Sequence, residues 1–227
     1  SLTAFVLDPS DPTRMFAPTW NAVLKSTDGG NSWDPKTEGL VANQVVDTVV
    51  IHPRNSDVLY GGIGETLVVS ANGGESWSSA QYGRGLGLGR VYAIAIDPFN
   101  PGTLYVGGLA AALYKSQDSG KSFTPLGFNT GKGVFSLALH PRQADTLLAG
   151  LNAGDAAIIK TVNGSEFYPV SAGLIYGGAD SAYSAIVYAP ANPNIVYAGT
   201  GHESNPDAKG IFKSSDGGET WRSINSG

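Results

Sequence analysis

Four acidic residues of this 227-residue chain, Asp47, Glu65, Asp155 and Asp180, stand outside its recurring eight-residue turn. Two carboxylates about 5–9.5 Å apart are what cleavage of a glycosidic bond requires, one as proton donor and the other as base or nucleophile. These four are the candidate pool for such chemistry, and their order along the chain does not select a pair. Cations that could hold an anion stand outside that turn as well: Arg84, Arg90 and Lys132. Segment 82–90, Tyr-Gly-Arg-Gly-Leu-Gly-Leu-Gly-Arg, could wrap an anion with backbone N–H groups. It fits neither the dinucleotide fingerprint nor the phosphate-loop spacing, so it reads as a flexible connector. Trp20, Tyr176 and Tyr183 are aromatics that could stack on a sugar or dock a partner. His202, with Glu203 and Asp207 close behind, offers an imidazole and two carboxylates of the kind that ligate divalent cations. Insertion 201–210 nevertheless reads as a solvated polar loop, and no metal or cofactor is expected.

Composition narrows the field. Gly 31 and Pro 13 make up about a fifth of the residues, too many for a helical protein, while 41% apolar and 10% aromatic content argues against disorder. A net charge of −5 gives no basic footprint for nucleic acid. Cysteine is absent, which removes disulfides and thiolate chemistry together. No apolar run is long enough to span a membrane. The chain opens at Ser1 in strand-like sequence with no initiator Met or signal peptide, as a processed product or an excised piece would.

The elements that must position these residues are set by a repeat of about 45 residues. One eight-residue pattern recurs with Ser26, Asp28, Gly30 and Trp33; with Ser70, Asn72, Gly74 and Trp77; with Ser116, Asp118, Gly120 and Phe123; and with Ser214, Asp216, Gly218 and Trp221. A shortened fifth copy carries Thr161, Asn163 and Phe167. Ahead of each copy a proline (Pro9, Pro53, Pro98, Pro141, Pro190) ends an apolar run, and Phe16, Tyr60, Tyr105, Leu148 or Tyr197 follows seven residues later. Gly62, Gly107, Gly150 and Gly199 stand nine residues after their prolines, with Pro18 in the first copy. The repeats run over approximately 1–43, 44–89, 90–132, 133–181 and 182–227.

Each repeat reads as four short strands, A to D, giving an all-β chain in one domain. The A strands are expected at 2–7, 46–51, 91–96, 134–139 and 183–188. Small and large residues alternate along them, with Asp47 the sole charge, as in a sheet packed between two neighbours. Wedge-shaped blades about a common axis satisfy this, so the fold expected is a β-propeller of four-stranded antiparallel blades: five in a closed ring, or an arc of a larger ring. Asp and Asn of the repeated turn accept from their own backbone, and a turn found in every blade cannot mark a single site, so those residues read as structural. Asn163-Gly-Ser165 matches a glycosylation sequon but overlaps the shortened turn and reads the same way. His52 and His140 stand where other repeats have Asp8 and Asp97, and read as turn residues too.

The repeated pattern resembles the Asp-box, or bacterial neuraminidase repeat. Together with the proline-to-Tyr-x-Gly spacing, it makes the chain similar to Asp-box propellers: sialidases, xyloglucanase-type glycoside hydrolases, the sortilin ectodomain and a photosystem II assembly factor. The resemblance implies that the turn lies on the outer bottom edge and that ligands meet the opposite face, where D–A and B–C connections gather. Position six before each proline (Thr3, Asp47, Tyr92, Phe135, Ser184) should ring that face, with Trp20, Glu65, Arg84, Arg90, Lys132, Asp155, Tyr176, Asp180, Tyr183, His202 and Glu203 around it. Six arginines, four of them elsewhere, and no Phe/Tyr-Arg-Ile-Pro motif argue against a sialidase. The expected function is therefore a non-catalytic propeller presenting its loop face to a protein or glycan. The alternative is a carbohydrate-active module, perhaps half of a two-propeller xyloglucanase-type site. An extracellular or periplasmic setting and flanking domains of a longer chain accompany either reading.

Overall fold

The computed structural model describes residues 5–79, 86–110, 113–126, 132–152, 157–174, 182–202 and 205–225. Among these there is no helix, and so none long and apolar enough to cross a membrane. Five antiparallel sheets follow one another along the chain, one per repeat. The first is β1 (Val6–Leu7), β2 (Met15–Pro18), β3 (Val23–Ser26) and β4 (Asp34–Lys36). The second is β5 (Val46–Ile51), β6 (Leu59–Ile63) and β7 (Thr66–Ser70), with its fourth strand reduced to a bridge between Val69 and Ser78. The third is β8 (Val91–Ile96), β9 (Leu104–Gly108), β10 (Leu113–Ser116) and β11 (Thr124–Leu126); the fourth is β12 (Val134–Leu139), β13 (Leu147–Leu151), β14 (Ile158–Thr161) and β15 (Tyr168–Pro169). The fifth is β16 (Tyr183–Tyr188), β17 (Val196–His202), β18 (Asn205–Ser214) and β19 (Arg222–Ser223). Strand order within each sheet is sequential, as in the blades of a β-propeller.

The chain divides into two compact units, one of Ser1–Val106 with Lys115–Thr124, the other of Gly107–Tyr114 with Pro125–Gly227. Each has its own core. In the first, Phe16, Val23, Val46, Leu59, Val68 and Trp77 pack together. In the second, Leu148, Ile158, Tyr183, Val196, Phe212 and Trp221 do so. Central strands β6, β9 and β13 are buried along their whole length, which explains their uncharged sequences.

Successive blades within a unit meet through glycine. A Cβ on Gly62 would stand 2.7 Å from Val91 Cγ1, and one on Gly107 2.5 Å from Val134 Cγ1, so the next A strand can lie flat only on a residue without a side chain. Arg54 then donates to the carbonyls of Pro98 and Phe99, and Arg142 to those of Pro190 and Ala191, tying each A–B turn to the next. Within the turns, His52 and His140 accept an N–H through Nδ1 as Asp8 and Asp97 do through Oδ1.

The repeated turns are closed by their own side chains. In the first, third and fifth, the acid accepts a serine hydroxyl two residues earlier and a backbone N–H four residues later, with a second hydroxyl at 2.6 Å. Asp28 and Asp118 are drawn down to about 2 by the hydroxyls and N–H groups of Ser32 and Ser122. Burial works against the same shift in Asp216, but Thr220 and Ser214 still hold it at about 2. The two positions after the acid need left-handed backbone (φ 70° and 90° at Gly29 and Gly30), which is why glycine recurs there; Ser119 takes it at φ 61°. Asn163 accepts from the N–H groups of Ser165 and Glu166, the turn role expected of it.

On either side of residues 203–204, which lie outside the described residues, β17 runs to His202 and β18 starts at Asn205, with Thr200 paired to Gly210 and His202 to Asn205.

Candidate functional site

The D–A and B–C connections of the first unit are held together by main-chain bonds. Val46 N–H donates to the Thr19 carbonyl, Asn21 N–H to that of Gln44, and Val91 N–H to that of Gly64, at 2.7–3.0 Å. Trp20 pairs with Val45 in a bridge. Its turn is thereby fixed while the indole stays 63% exposed, an unusual position for so large an apolar ring.

Asp47 owes its direction to a β-bulge. The register of β5 against β6 shifts between Val46 and Thr48, leaving Asp47 as the extra residue. The same shift brackets Phe135 in β12 and Ser184 in β16, so the sixth position before the proline is a bulge in three blades. Asp47 receives a forked pair from Arg90, Nε to Oδ2 and Nη2 to Oδ1, both 2.7 Å. The carboxylate is only 9% exposed and the guanidinium 38%. Arg90 lies over the Tyr92 ring at 5.5 Å, and its bond to Asp47 raises its pKa above the ordinary value. Beside the pair is a depression of about 410 Å³ lined by Gln44, Val45, Gly64, Glu65, Gly89 and Arg90.

This geometry divides the sequence candidates. Glu65 and Arg90 line this depression of the first unit, Asp47 is bonded to Arg90, and Trp20 is bridged to Val45 of its lining. Asp47 has both oxygens committed to Arg90, so it serves as a fixed anion that orients the guanidinium. Glu65 is exposed and has no hydrogen-bond partner among the described residues. In the second unit, Lys132 is half-buried just ahead of β12. Tyr183 corrects its sequence reading: its ring is fully buried, 6.1 Å from that of Phe212, because the first residue of an A strand packs on the glycine of the preceding blade. His202 is placed only by its backbone pairing with Asn205. Arg84, Asp155, Tyr176, Asp180 and Glu203 lie outside the described residues. Sequence reasoning missed Gln44 and Gly89; the only signal was their adjacency to strands β5 and β8. Among the described residues no group of His, Asp or Glu could hold a metal ion.

A larger depression, about 480 Å³, lies at the A–B turns around Asp8, Ser10, Arg14, Asn55 and Asp57. It is a structural crossing: Arg14 bonds Asp8 at 2.7 Å, Asp57 at 3.4 Å and the Ser56 carbonyl. Burial would raise Asp8, yet Ser56, Ser10 and Arg14 hold it well below the usual carboxylate range.

No family profile matches the chain. It is 27% identical over 196 residues to the oligoxyloglucan-reducing end-specific xyloglucanase of Emericella nidulans, covering 76% of this chain and 24% of that protein. With xyloglucanase Xgh74A of Acetivibrio thermocellus it shares 26% identity over 268 residues, covering 96% and 31%. The chain thus spans a quarter to a third of the length of these curated relatives. Among solved structures, the GH74 xyloglucanase of Xanthomonas campestris superimposes with a TM-score of 0.77 at 20% identity, covering 98% of this chain and 38% of that one. The curated relatives overturn the expectation of a non-catalytic interaction propeller, because both are named for an enzymatic activity on a polysaccharide. The chain is an all-β protein of five blade-like antiparallel sheets of the β-propeller class, similar in sequence to proteins named as xyloglucanases.

Proposed function

We propose that this chain is a propeller segment of a xyloglucan-directed glycoside hydrolase that meets its polysaccharide on the face bearing Trp20, Glu65 and Arg90. The single observation behind the reading is the similarity to two xyloglucanases over 76% and 96% of the chain. The site is compatible with it. A β-glucan chain is neutral and hydroxyl-rich, and is gripped by a flat aromatic with hydrogen-bonding groups beside it; Trp20 with Gln44, Glu65 and Arg90 supplies both. Glu65 is the candidate acid on this segment, and the second carboxylate comes from Asp155, Asp180 or another part of the longer protein. On the same reading the repeated turn is the Asp-box and the protein works outside the cell.

The test is a polysaccharide panel. Affinity electrophoresis should show retardation by xyloglucan and not by chitin, and reducing-end release from xyloglucan should appear with the longer protein. No retardation by any β-glucan, together with no release from any, would refute the proposal.

A further inference from the structure

Asparagine precedes glycine at two places in the chain, Asn72-Gly73 and Asn163-Gly164, and both lie in the repeated turn, where three other copies carry Asp28, Asp118 and Asp216. Glycine is the successor that least hinders ring closure by an asparagine side chain, because no Cβ crowds its amide nitrogen. Both asparagines are exposed.

Asn72 sits in its turn as the acids sit in theirs. Its Oδ1 accepts the Ser70 hydroxyl at 2.9 Å and the Ser76 N–H at 3.0 Å, as Asp28 Oδ1 accepts from Ser26 and Ser32. The other end differs. Asn72 Nδ2 donates to Ser76 Oγ at 2.8 Å, where Asp28 Oδ2 accepts from Ser32 Oγ at 2.6 Å. An aspartate at position 72 needs only a rotation of the Ser76 hydroxyl to make that shorter, charge-assisted bond. Charges around Gly73 are mixed, Arg14 and Lys25 against Asp57 and Glu75, so no single-sign field opposes the acid. At Asn163 the same exchange works in the opposite direction. Its Nδ2 donates to Glu166 Oε2 at 3.2 Å, and Phe167 stands four residues on, where the unshortened copies have a hydroxyl. An aspartate there would face a carboxylate.

We propose that Asn72 is a modification site, deamidated through its own backbone to the aspartate that this turn is built to hold. The Gly73 nitrogen, having given up its proton, bonds to Asn72 Cγ; the Cγ–Nδ2 bond breaks, ammonia leaves, and a cyclic imide remains. Water then opens the ring. Addition at Cγ leaves aspartate; addition at the main-chain carbonyl leaves isoaspartate, whose longer backbone draws the Gly74 and Ser76 N–H groups away from Ser70 Oγ and the side chain of residue 72. Folding holds the reaction back. The Gly73 N–H is tied to the Asp57 carbonyl at 2.9 Å and the side chain it must attack is held by Ser70 and Ser76, so ring closure needs local opening of the turn. The inference concerns the repeated turn and is independent of any activity on polysaccharide.

The test is to incubate the chain in mildly alkaline buffer, folded and in unfolding urea, and to follow each asparagine by peptide mapping with the aspartyl and isoaspartyl products separated. Asn72 should convert at least about tenfold faster in urea than in the folded chain. Asn72→Asp should raise Tm by about 2–4 °C, whereas Asn163→Asp should lower it. On refolding the urea-treated chain, molecules with aspartate at position 72 should collect in the native fraction and those with isoaspartate in the fraction that melts lower. Equal rates in the two conditions, a Tm for Asn72→Asp at or below that of the parent, or an equal rise for Asn163→Asp would each overturn the proposal.

Discussion

Asp47 and Arg90, 43 residues apart, face each other through two hydrogen bonds of 2.7 Å, a fork that spans two successive blades. A planar guanidinium matched to both carboxylate oxygens is stronger and more directional than a single contact. The pair fixes the wall of the depression beside Glu65, so it links blade packing to the candidate site.

Removing Arg90 would strand a carboxylate that is only 9% exposed. Arg90→Ala should cost about 1–3 kcal/mol in urea unfolding, and Asp47→Asn less, because the amide still accepts. Equal and negligible effects of both would contradict this account of the pair.

In the longer protein, Glu65→Gln should lower xyloglucan turnover by roughly 10²–10⁴-fold, while Asp47→Asn stays within about tenfold of the parent. The reverse order would show that the carboxylate bonded to Arg90 performs the proton transfer. Initial rates of reducing-end release measure it.

Tryptophans of the repeated turn should divide by position. Trp77 and Trp221 are buried, with their backbone N–H groups bonded to the carbonyls of Glu38 and Ala172 in the preceding linkers; the Trp221 indole N–H donates to the Val170 carbonyl, while that of Trp77 is buried with no partner among the described residues. Trp33 is half-buried and turns its indole N–H to Gly30 of its own turn. Trp77→Ala and Trp221→Ala should each destabilise by about 3–5 kcal/mol and Trp33→Ala by clearly less, measured by chemical denaturation. Similar losses at all three would mean that burial under the linker is not what distinguishes them.

Acid should loosen the turns in a defined window. Asp28, Asp118 and Asp216 fall from an ordinary 3.8 to about 2 on folding, so their contribution is complete above about pH 4 and is lost as pH drops toward 2. His52 and His140 are pushed below 6.5 by burial first, then by Arg54 for His52 and by Lys160 and Arg142 for His140. The unfolded chain therefore binds their protons first, and stability declines as pH falls below 6.5. Thermal unfolding from pH 8 to 2 should show both steps, with Asp28→Asn shrinking the lower one; a profile unchanged by that substitution speaks against the turn assignment.

Glycines of strand B should respond according to what lies over them. Gly62→Ala and Gly107→Ala would press a methyl into Val91 and Val134 and should cost about 1–3 kcal/mol, visible in Tm. Gly199→Ala, with only Ala185 within reach among the described residues, at 3.8 Å, should be neutral or slightly stabilising.

Residue order alone determined what repeats. Proline-terminated apolar runs predicted A strands at 46–51, 91–96, 134–139 and 183–188, and the structure has β5, β8, β12 and β16 at those residues. The turn chemistry of Asp28, Asp118 and Asp216 and the turn role of His52 and His140 were legible for the same reason. Local hydrogen bonding and side-chain alternation act over a few residues, and five copies average out the ambiguity of any one. Tertiary structure alone decided what does not repeat. Asp47 was visible as a charge in an apolar strand, but its capture by Arg90 depends on a bulge that re-aims one side chain and on a blade edge 43 residues away. Tyr183 looked like a rim aromatic and became core because Gly150 leaves room for its backbone. Such pairings arise where separate sheets come within a few ångströms, a distance that spacing along a chain does not encode.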